Sequence, residues 1–123
     1  MLCITSNGMR RGNKRKFGRE TIQRKALYKS LATALIENGK IKTTVAKAKS
    51  LSGHFDKMVT IAKKQTLASR RLLQSQVGDK AVRKLFTEIA PGFEGKKGGY
   101  TRVIRLGQRK SDGAEMALIE LTK

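Results

Sequence analysis

From Thr21 onward, apolar side chains recur every three to five positions, the spacing of one face of an α-helix. The segment TIQRKALYKSLATALIENG therefore predicts an amphipathic helix, which ends at Asn38 because Gly39 suits a left-handed cap. The residues expected to face the core are Ile22, Ala26, Leu27, Leu31, Ala34 and Leu35.

Three more helices follow in the pattern. Thr43 or Thr44 caps the segment VAKAKSLSGHFDKMVTIAKK, in which Gly53 predicts either a close packing contact or a local kink. TLASRRLLQSQ forms a shorter helix, and KAVRKLFTEIA forms a last one that is capped by Asp79 and ended by Pro91. The inward residues predicted for the three helices are Val45, Ala48, Leu51, Phe55, Met58, Val59 and Ala62, then Leu67, Leu72 and Leu73, then Val82, Leu85, Phe86 and Ile89.

Beyond Pro91 the apolar pattern alternates instead. Tyr100 to Leu106 and Met116 to Leu121 predict two strands, which the turn-rich segment GQRKSDG joins into an antiparallel hairpin. The short alternating segment KIKT, between the first two helices, predicts one more strand. Helices followed by strands indicate an α+β fold, which we expect as a single globular domain over residues 20–123.

The charge of the chain gives the strongest functional signal. With 28 Lys and Arg against 9 Asp and Glu, the formal net charge is +19. That is far above the magnitude of roughly 2–8 that suits a small soluble domain, so a partner of opposite sign is implied. Nucleic acid is the first candidate, and an anionic membrane surface is the second.

The cations are densest between Arg10 and Lys25, where RRGNKRKFGRETIQRK carries eight in sixteen residues. This segment has few apolar side chains from which to build a core. We therefore expect residues 1–19 to be an N-terminal extension and a basic RNA-binding arm, which is disordered up to about Arg19 until a polyanion orders it. The alternative is a disordered basic tail that serves solubility or nuclear import.

Side chains for catalysis or metal binding are sparse. Cys3 and His54 are the only Cys and His, too few for the three or four ligands of a zinc site. Asp56, Asp79 and Asp112 are scattered, and GKKGGY lacks the spacing of a phosphate-binding P-loop. No run approaches the ~18 apolar residues of a membrane span. We therefore expect no enzyme activity, no cofactor, no metal, no small-molecule substrate and no membrane partner.

Further basic residues extend the predicted contact surface beyond the arm. In GKKGGY, two glycines permit close backbone approach to a phosphate and Tyr100 offers a ring for stacking, although the loop can also be a solvated connector. His54 is either a partly buried structural residue or faces RNA, and the lysines early in the second helix are either contacts or solvated side chains. The residues predicted to bind RNA are Arg10, Arg11, Lys14, Arg15, Lys16, Arg19, Arg24, Lys25, Lys29, Lys42, Lys47, Lys49, Arg70, Arg71, Lys96, Lys97, Gly98, Gly99, Tyr100, Arg102, Arg105, Arg109 and Lys110.

Motifs along most of the chain resemble one family. The basic start MRRGNKRKFGR, then SLATALIENGKIKTTVAKAKSL, SRRLL, VRKLFTEIAPGF and GGYTRVIRLGQRKSDGAEMALIEL, are similar to the bacterial large-subunit ribosomal protein family numbered seventeen, from Met9 to the end. KIKTTVAKAK and GGYTR, in this order and at this separation, are the most specific motifs. Residues 1–8 lie outside the resemblance. After KAK this chain has Ser50, Gly53 and His54, where the family has an acidic residue followed by basic ones.

The resemblance implies a two-layer fold, with about four helices on one face of a small mixed three-stranded sheet in which KIKT lies beside the C-terminal hairpin. It implies a structural, rRNA-binding constituent of the large (50S) ribosomal subunit in the cytoplasm. Its partners would be 23S-type rRNA, into which the arm is threaded, and neighbouring large-subunit proteins near the exit of the peptide tunnel.

Two rival functions follow from the same charge. A DNA-binding architectural protein is disfavoured because no recognition helix with base-reading side chains is evident and because a glycine-punctuated arm suits irregular folded RNA. An RNA-modifying enzyme is disfavoured by the missing nucleophile, base and cofactor loop.

Overall fold

A computed structural model describes residues 15–122 of the chain. The predicted contact residues Arg10, Arg11 and Lys14 lie outside these residues, as do Cys3 and the first eight positions.

The first helix, α1 (Thr21–Asn38), begins and ends as its sequence predicts. Glu20 and Gln23 form a reciprocal capping box at its start, and Gly39, with a φ of 76°, donates its N–H to the Leu35 carbonyl at 2.8 Å. Buried side chains occur only in its C-terminal half, so the predicted inward stripe is wrong at its beginning. Ile22 is 82% exposed, and the buried residues of the helix are Ala32, Leu35 and Ile36.

Strand β1 (Lys40–Thr44) leads directly into α2 (Val45–Lys63), the central helix of the fold. All seven residues predicted to face inward from α2 are buried, because neighbouring elements cover this helix along its whole length. Gly53 is exposed, and a Cβ added there would meet nothing within 4 Å. Of the two predicted alternatives, a close packing contact or a local kink, the packing contact is therefore absent.

The third helix, α3 (Leu67–Val77), is capped by Thr66, whose hydroxyl accepts the Ser69 N–H at 3.1 Å. Its predicted inward face is rotated from the observed one. Leu67 and Leu72 are 63% and 49% exposed, whereas Leu73 is buried as predicted and Val77 is buried beside it.

The last helical segment, α4 (Asp79–Lys84), continues through a π-helical turn (Leu85–Ile89) and a short final piece (Ala90–Gly92). Its cap is Gly78, and Asp79 is its first residue. The helical segment ends at Gly92, one residue beyond Pro91, so the prediction that Pro91 ends it is correct to within one residue. The predicted inward residues of this segment are all buried: Val82, Leu85, Phe86 and Ile89.

The sheet consists of β1, β2 (Thr101–Gln108) and β3 (Glu115–Leu121) in the order β1-β3-β2. Both pairings are antiparallel, so the expectation of a mixed sheet is wrong, while the hairpin and the place of β1 beside it are confirmed. Ile119 pairs with Ile41 on one side and with Val103 on the other. The helices cover the face that carries Ala117 and Ile119, which are fully buried, and the α+β prediction is confirmed.

Candidate nucleic-acid interface

The end of the basic arm next to α1 is a tight turn. Phe17 and Gly18 both have positive φ angles, 54° and 61°, and the Arg19 N–H donates to the Lys16 carbonyl at 3.1 Å. Two guanidinium groups hold this turn: Arg19 Nη1 donates to the Phe17 carbonyl and Arg24 Nη1 donates to the Arg19 carbonyl, both at 3.1 Å. The arm therefore forms a defined turn where it joins α1, and disorder of the free arm up to about Arg19 stays a prediction.

Three rings connect the arm to the first two helices. Phe17 meets Tyr28 of α1 in an edge-to-face arrangement, with ring centroids 6.5 Å apart and an interplanar angle of 73°. Tyr28 in turn stacks on His54 of α2, with centroids 5.0 Å apart at 27°. All three side chains are half-buried. The contact of Phe17 offsets the strain of its left-handed backbone, and it places the arm beside the start of α1 and α2.

Predicted contact residues from three distant segments meet around this stack. Arg15 of the arm, Lys49 of α2 and Arg105 of β2 line one cleft of about 600 Å³. Arg15 and Lys49 also line a second cleft, of about 420 Å³, together with Lys57 and the stacked rings. On the other side of the rings, Lys25 and Lys29 line a third cleft of about 530 Å³.

We refer to these six cations as the basic face, and all of them are exposed: Arg15, Lys25, Lys29, Lys49, Lys57 and Arg105.

Acidic residues are segregated from the basic face. No Asp or Glu of the described part of the chain lines the second or third cleft, and Glu115 alone lines the first. The cleft at the C-terminal end of α1 differs, since Glu37, Glu88 and Glu120 line it beside two lysines. Cations therefore outnumber carboxylates where the arm meets α1 and α2, since Glu115 is the one acidic residue among the described residues that line the three clefts.

Several predicted contact residues lie elsewhere and are engaged within the protein. Arg102 Nε donates to Glu120 Oε1 at 2.9 Å across the sheet. Arg109 binds both carboxylate oxygens of Asp112 in the hairpin turn, at 2.9 and 2.6 Å. The hydrogen bonds from Arg109, together with the one from the Ala114 N–H, lower the pKa of Asp112 to about 2. The guanidinium of Arg70 lies 5.5 Å from the centre of the Phe86 ring.

The remaining predicted contact residues with described side chains are exposed or, for Lys47, half-buried, and none of them lines a cleft of the basic face: Lys16, Lys42, Lys47, Arg71, Lys96, Lys97 and Lys110.

The ring of Tyr100 is buried, which argues against the stacking on a nucleotide that its glycine-rich surroundings predicted. Its side chain is 2% exposed and packs against Phe93, with ring centroids 5.1 Å apart. The hydroxyl donates to the Lys96 carbonyl at 3.0 Å and accepts from Lys63 Nζ at 3.3 Å. The ring is thus a core residue that holds the loop, while Lys97, Gly98 and Gly99 remain exposed above it.

A carboxylate beneath this loop is partly desolvated. Asp56 Oδ1 is buried, and no described residue gives it a hydrogen bond. Burial raises the pKa of Asp56, and the backbone N–H of Tyr100 opposes that rise. The ionised form of Asp56 is therefore a cost to the folded state.

Phe17, Tyr28 and Lys57 were not among the predicted contact residues. The sequence gives little indication of these residues, because none of them stands out from its neighbours along the chain. Tyr28 meets His54 only because α1 and α2 cross. Within residues 15–122, no three His, Cys, Asp or Glu side chains are grouped to hold a metal ion. No helix in the described part of the chain is long and apolar enough to cross a membrane.

The fold and the basic face define a small α+β protein with a surface suited to a polyanion. The chain belongs to the ribosomal protein L17 family, whose model matches residues 27–122. As a member of this family it is a structural component of the large ribosomal subunit and not an enzyme.

Similar proteins from three bacteria carry the same name, large ribosomal subunit protein bL17. The protein of Thermomicrobium roseum is 51% identical over 107 residues, which cover 86% of this chain and 92% of that protein. The protein of Methylacidiphilum infernorum is 51% identical over 109 residues, covering 88% and 83%. The protein of Staphylococcus carnosus is 48% identical over 118 residues, covering 87% and 97%.

Proposed function

We propose that this protein binds and stabilises folded large-subunit rRNA through its basic arm and its basic face. The convergence of Arg15, Lys49 and Arg105 on one cleft carries the proposal, because these cations come from three separate segments and repel one another. Closely spaced phosphates of a folded RNA would neutralise them together. In this proposal residues 1–19 form the RNA-binding arm and residues 20–123 form one globular domain.

Structural attachment to the particle is tested by sedimentation. A tagged chain is expressed in bacteria, large subunits are washed in high salt, and the fraction of the chain that sediments with them is measured. The chain is expected to stay with the large subunit, since folded rRNA surrounds its cations. Release under conditions that retain other large-subunit proteins, or sedimentation with DNA, would contradict the proposal.

We also propose, from the resemblance to the family, that the globular domain lies near the exit of the peptide tunnel beside neighbouring large-subunit proteins. Chemical cross-linking of purified large subunits through surface lysines such as Lys80 tests this location. Cross-links to proteins at the tunnel exit are expected, and cross-links confined to the opposite side of the subunit would refute it.

A further inference from the structure

The stacked pair of Tyr28 and His54 is not explained by phosphate binding alone. The pair lies between two of the clefts of the basic face, and His54 lines both of them. Both rings are half-buried, so part of each ring surface remains open to the clefts. The cleft volumes, about 420 and 530 Å³, lie within the range of roughly 300–1,000 Å³ that is typical of sites for small ligands.

Gly53 is a second, independent feature of the same cleft. It lies inside α2, where glycine is a poorer helix former than alanine, and no packing contact requires it, since a Cβ would meet nothing within 4 Å. Gly53 lines the cleft beside His54 and Lys57. The missing side chain therefore leaves the wall of this cleft open next to the ring of His54.

The chemistry of this cleft matches one nucleotide. A ring face suits a base, because every base has a π-face that stacks on aromatic side chains. Lysines at the rim suit the phosphates on either side of that base, and Lys49 and Lys57 lie there. The base must be unpaired, since a base inside a duplex offers only its edges.

We infer that the cleft formed by Tyr28, His54 and Gly53 binds a single unpaired base of the large-subunit rRNA, with its flanking phosphates near Lys49 and Lys57. This inference rests on the proposed rRNA-binding function and specifies one contact within it. The basic face then combines charge with one stacking position. Both contribute to affinity, and the stacking position also fixes where the RNA strand lies.

The test measures binding of the full chain to a transcript of 23S-type rRNA by filter retention at several salt concentrations. His54→Ala is expected to weaken binding by about 5-fold to 150-fold, the range found for loss of one base–aromatic stack, with an unchanged salt slope. His54→Tyr keeps a ring and is expected to bind within about twofold of the wild type. Lys57→Gln is the matched charge control, and its salt slope should fall by about one phosphate contact.

Gly53→Ala separates the site from protein stability. Alanine favours the helix, so the melting temperature of the free protein should rise while rRNA binding weakens, because the new methyl group narrows the cleft. Irradiation of purified large subunits at 254 nm, followed by mass spectrometry, should also identify a nucleotide attached to the peptide that contains His54.

The possible failures are distinguishable. If the wild-type chain does not bind the transcript, the proposed function itself is wrong. If the wild type binds but His54→Ala and Gly53→Ala bind equally well, the base-binding site is wrong and the proposed function stands. A reduced salt slope for His54→Ala would also overturn the site, because His54 would then act as a charge and not as a stacking ring.

Discussion

The burial of Tyr100 makes a prediction that separates a core role from an RNA contact. Tyr100→Phe keeps the ring against Phe93 and removes only the hydroxyl, which donates to the Lys96 carbonyl at 3.0 Å and accepts from Lys63 Nζ at 3.3 Å. A neutral hydrogen bond of this kind contributes about 0.5–1.5 kcal/mol. Lys63 Nζ also donates to the Lys96 carbonyl, so this acceptor keeps one partner and the loss should be about 1 kcal/mol.

Urea unfolding of the free protein measures this loss. The midpoint is expected to fall with an unchanged slope, because the surface exposed on unfolding is nearly the same. Tyr100→Ala removes the ring itself and should cost about 3–5 kcal/mol through the cavity that remains. Affinity of Tyr100→Phe for rRNA should match that of the wild type. If Tyr100→Phe leaves the midpoint unchanged and weakens rRNA binding, the assignment of Tyr100 to the core is refuted.

Three further predictions concern stability and titration. Burial raises the pKa of Asp56, so the folded state loses stability as the pH rises above 3.8. Asp56→Asn should therefore raise the melting temperature at pH 7 and make it depend less on pH. An unchanged profile of melting temperature against pH would contradict this. Arg109 lowers the pKa of Asp112 to about 2, so the contribution of this pair to folding stability is present above pH 3.8 and is lost as the pH falls through about 2. NMR titration of the Arg109→Ala variant should show the pKa of Asp112 rising towards 3.8. A pKa that stays near 2 would argue against the pair. Ile22 is 82% exposed, so Ile22→Gln should change the free energy of unfolding by less than about 0.5 kcal/mol. Leu35 is fully buried, so Leu35→Ala should lower the free energy of unfolding by about 2–5 kcal/mol. Similar losses for both variants would contradict the observed buried face of α1.

The success of the sequence-based predictions depended on how completely each element is covered. The face of α2 was predicted without error because seven apolar residues repeat at helical spacing and neighbouring elements pack on all of them. Ile22 and Leu67 fit the spacing equally well and are exposed, because periodicity does not show how far the core extends over a helix. The expectation of a mixed sheet failed for a similar reason. Whether β1 and β3 run parallel or antiparallel depends on the path of the chain between them, which the composition of the strands does not show.

The sequence predicted Lys49 and Arg105 as RNA contacts from the density of cations, and that role stays a prediction. Their meeting with Arg15 in one cleft was not predicted, because it depends on tertiary packing. The Tyr28–His54 stack joins residues of different helices, and no local pattern announces it. Tyr100 was misjudged because its glycine and lysine neighbours are exposed, whereas its ring turns towards Phe93.

The central claim is that large-subunit rRNA contacts the basic arm and the basic face specifically, and that binding does not simply follow the net charge of the chain. The most direct measurement compares the salt dependence of rRNA binding for the wild type, for the double variant Lys29→Gln/Lys49→Gln in the basic face, and for the matched control Lys80→Gln/Arg83→Gln on exposed positions of α4. With on the order of 6–10 phosphate contacts, wild-type affinity should fall about 10³-fold to 10⁵-fold between 50 and 200 mM salt. The basic-face variant should lose about two contacts' worth of slope, while the control keeps the wild-type slope. An equal loss of slope in both variants would contradict the claim, because binding would then follow total charge alone.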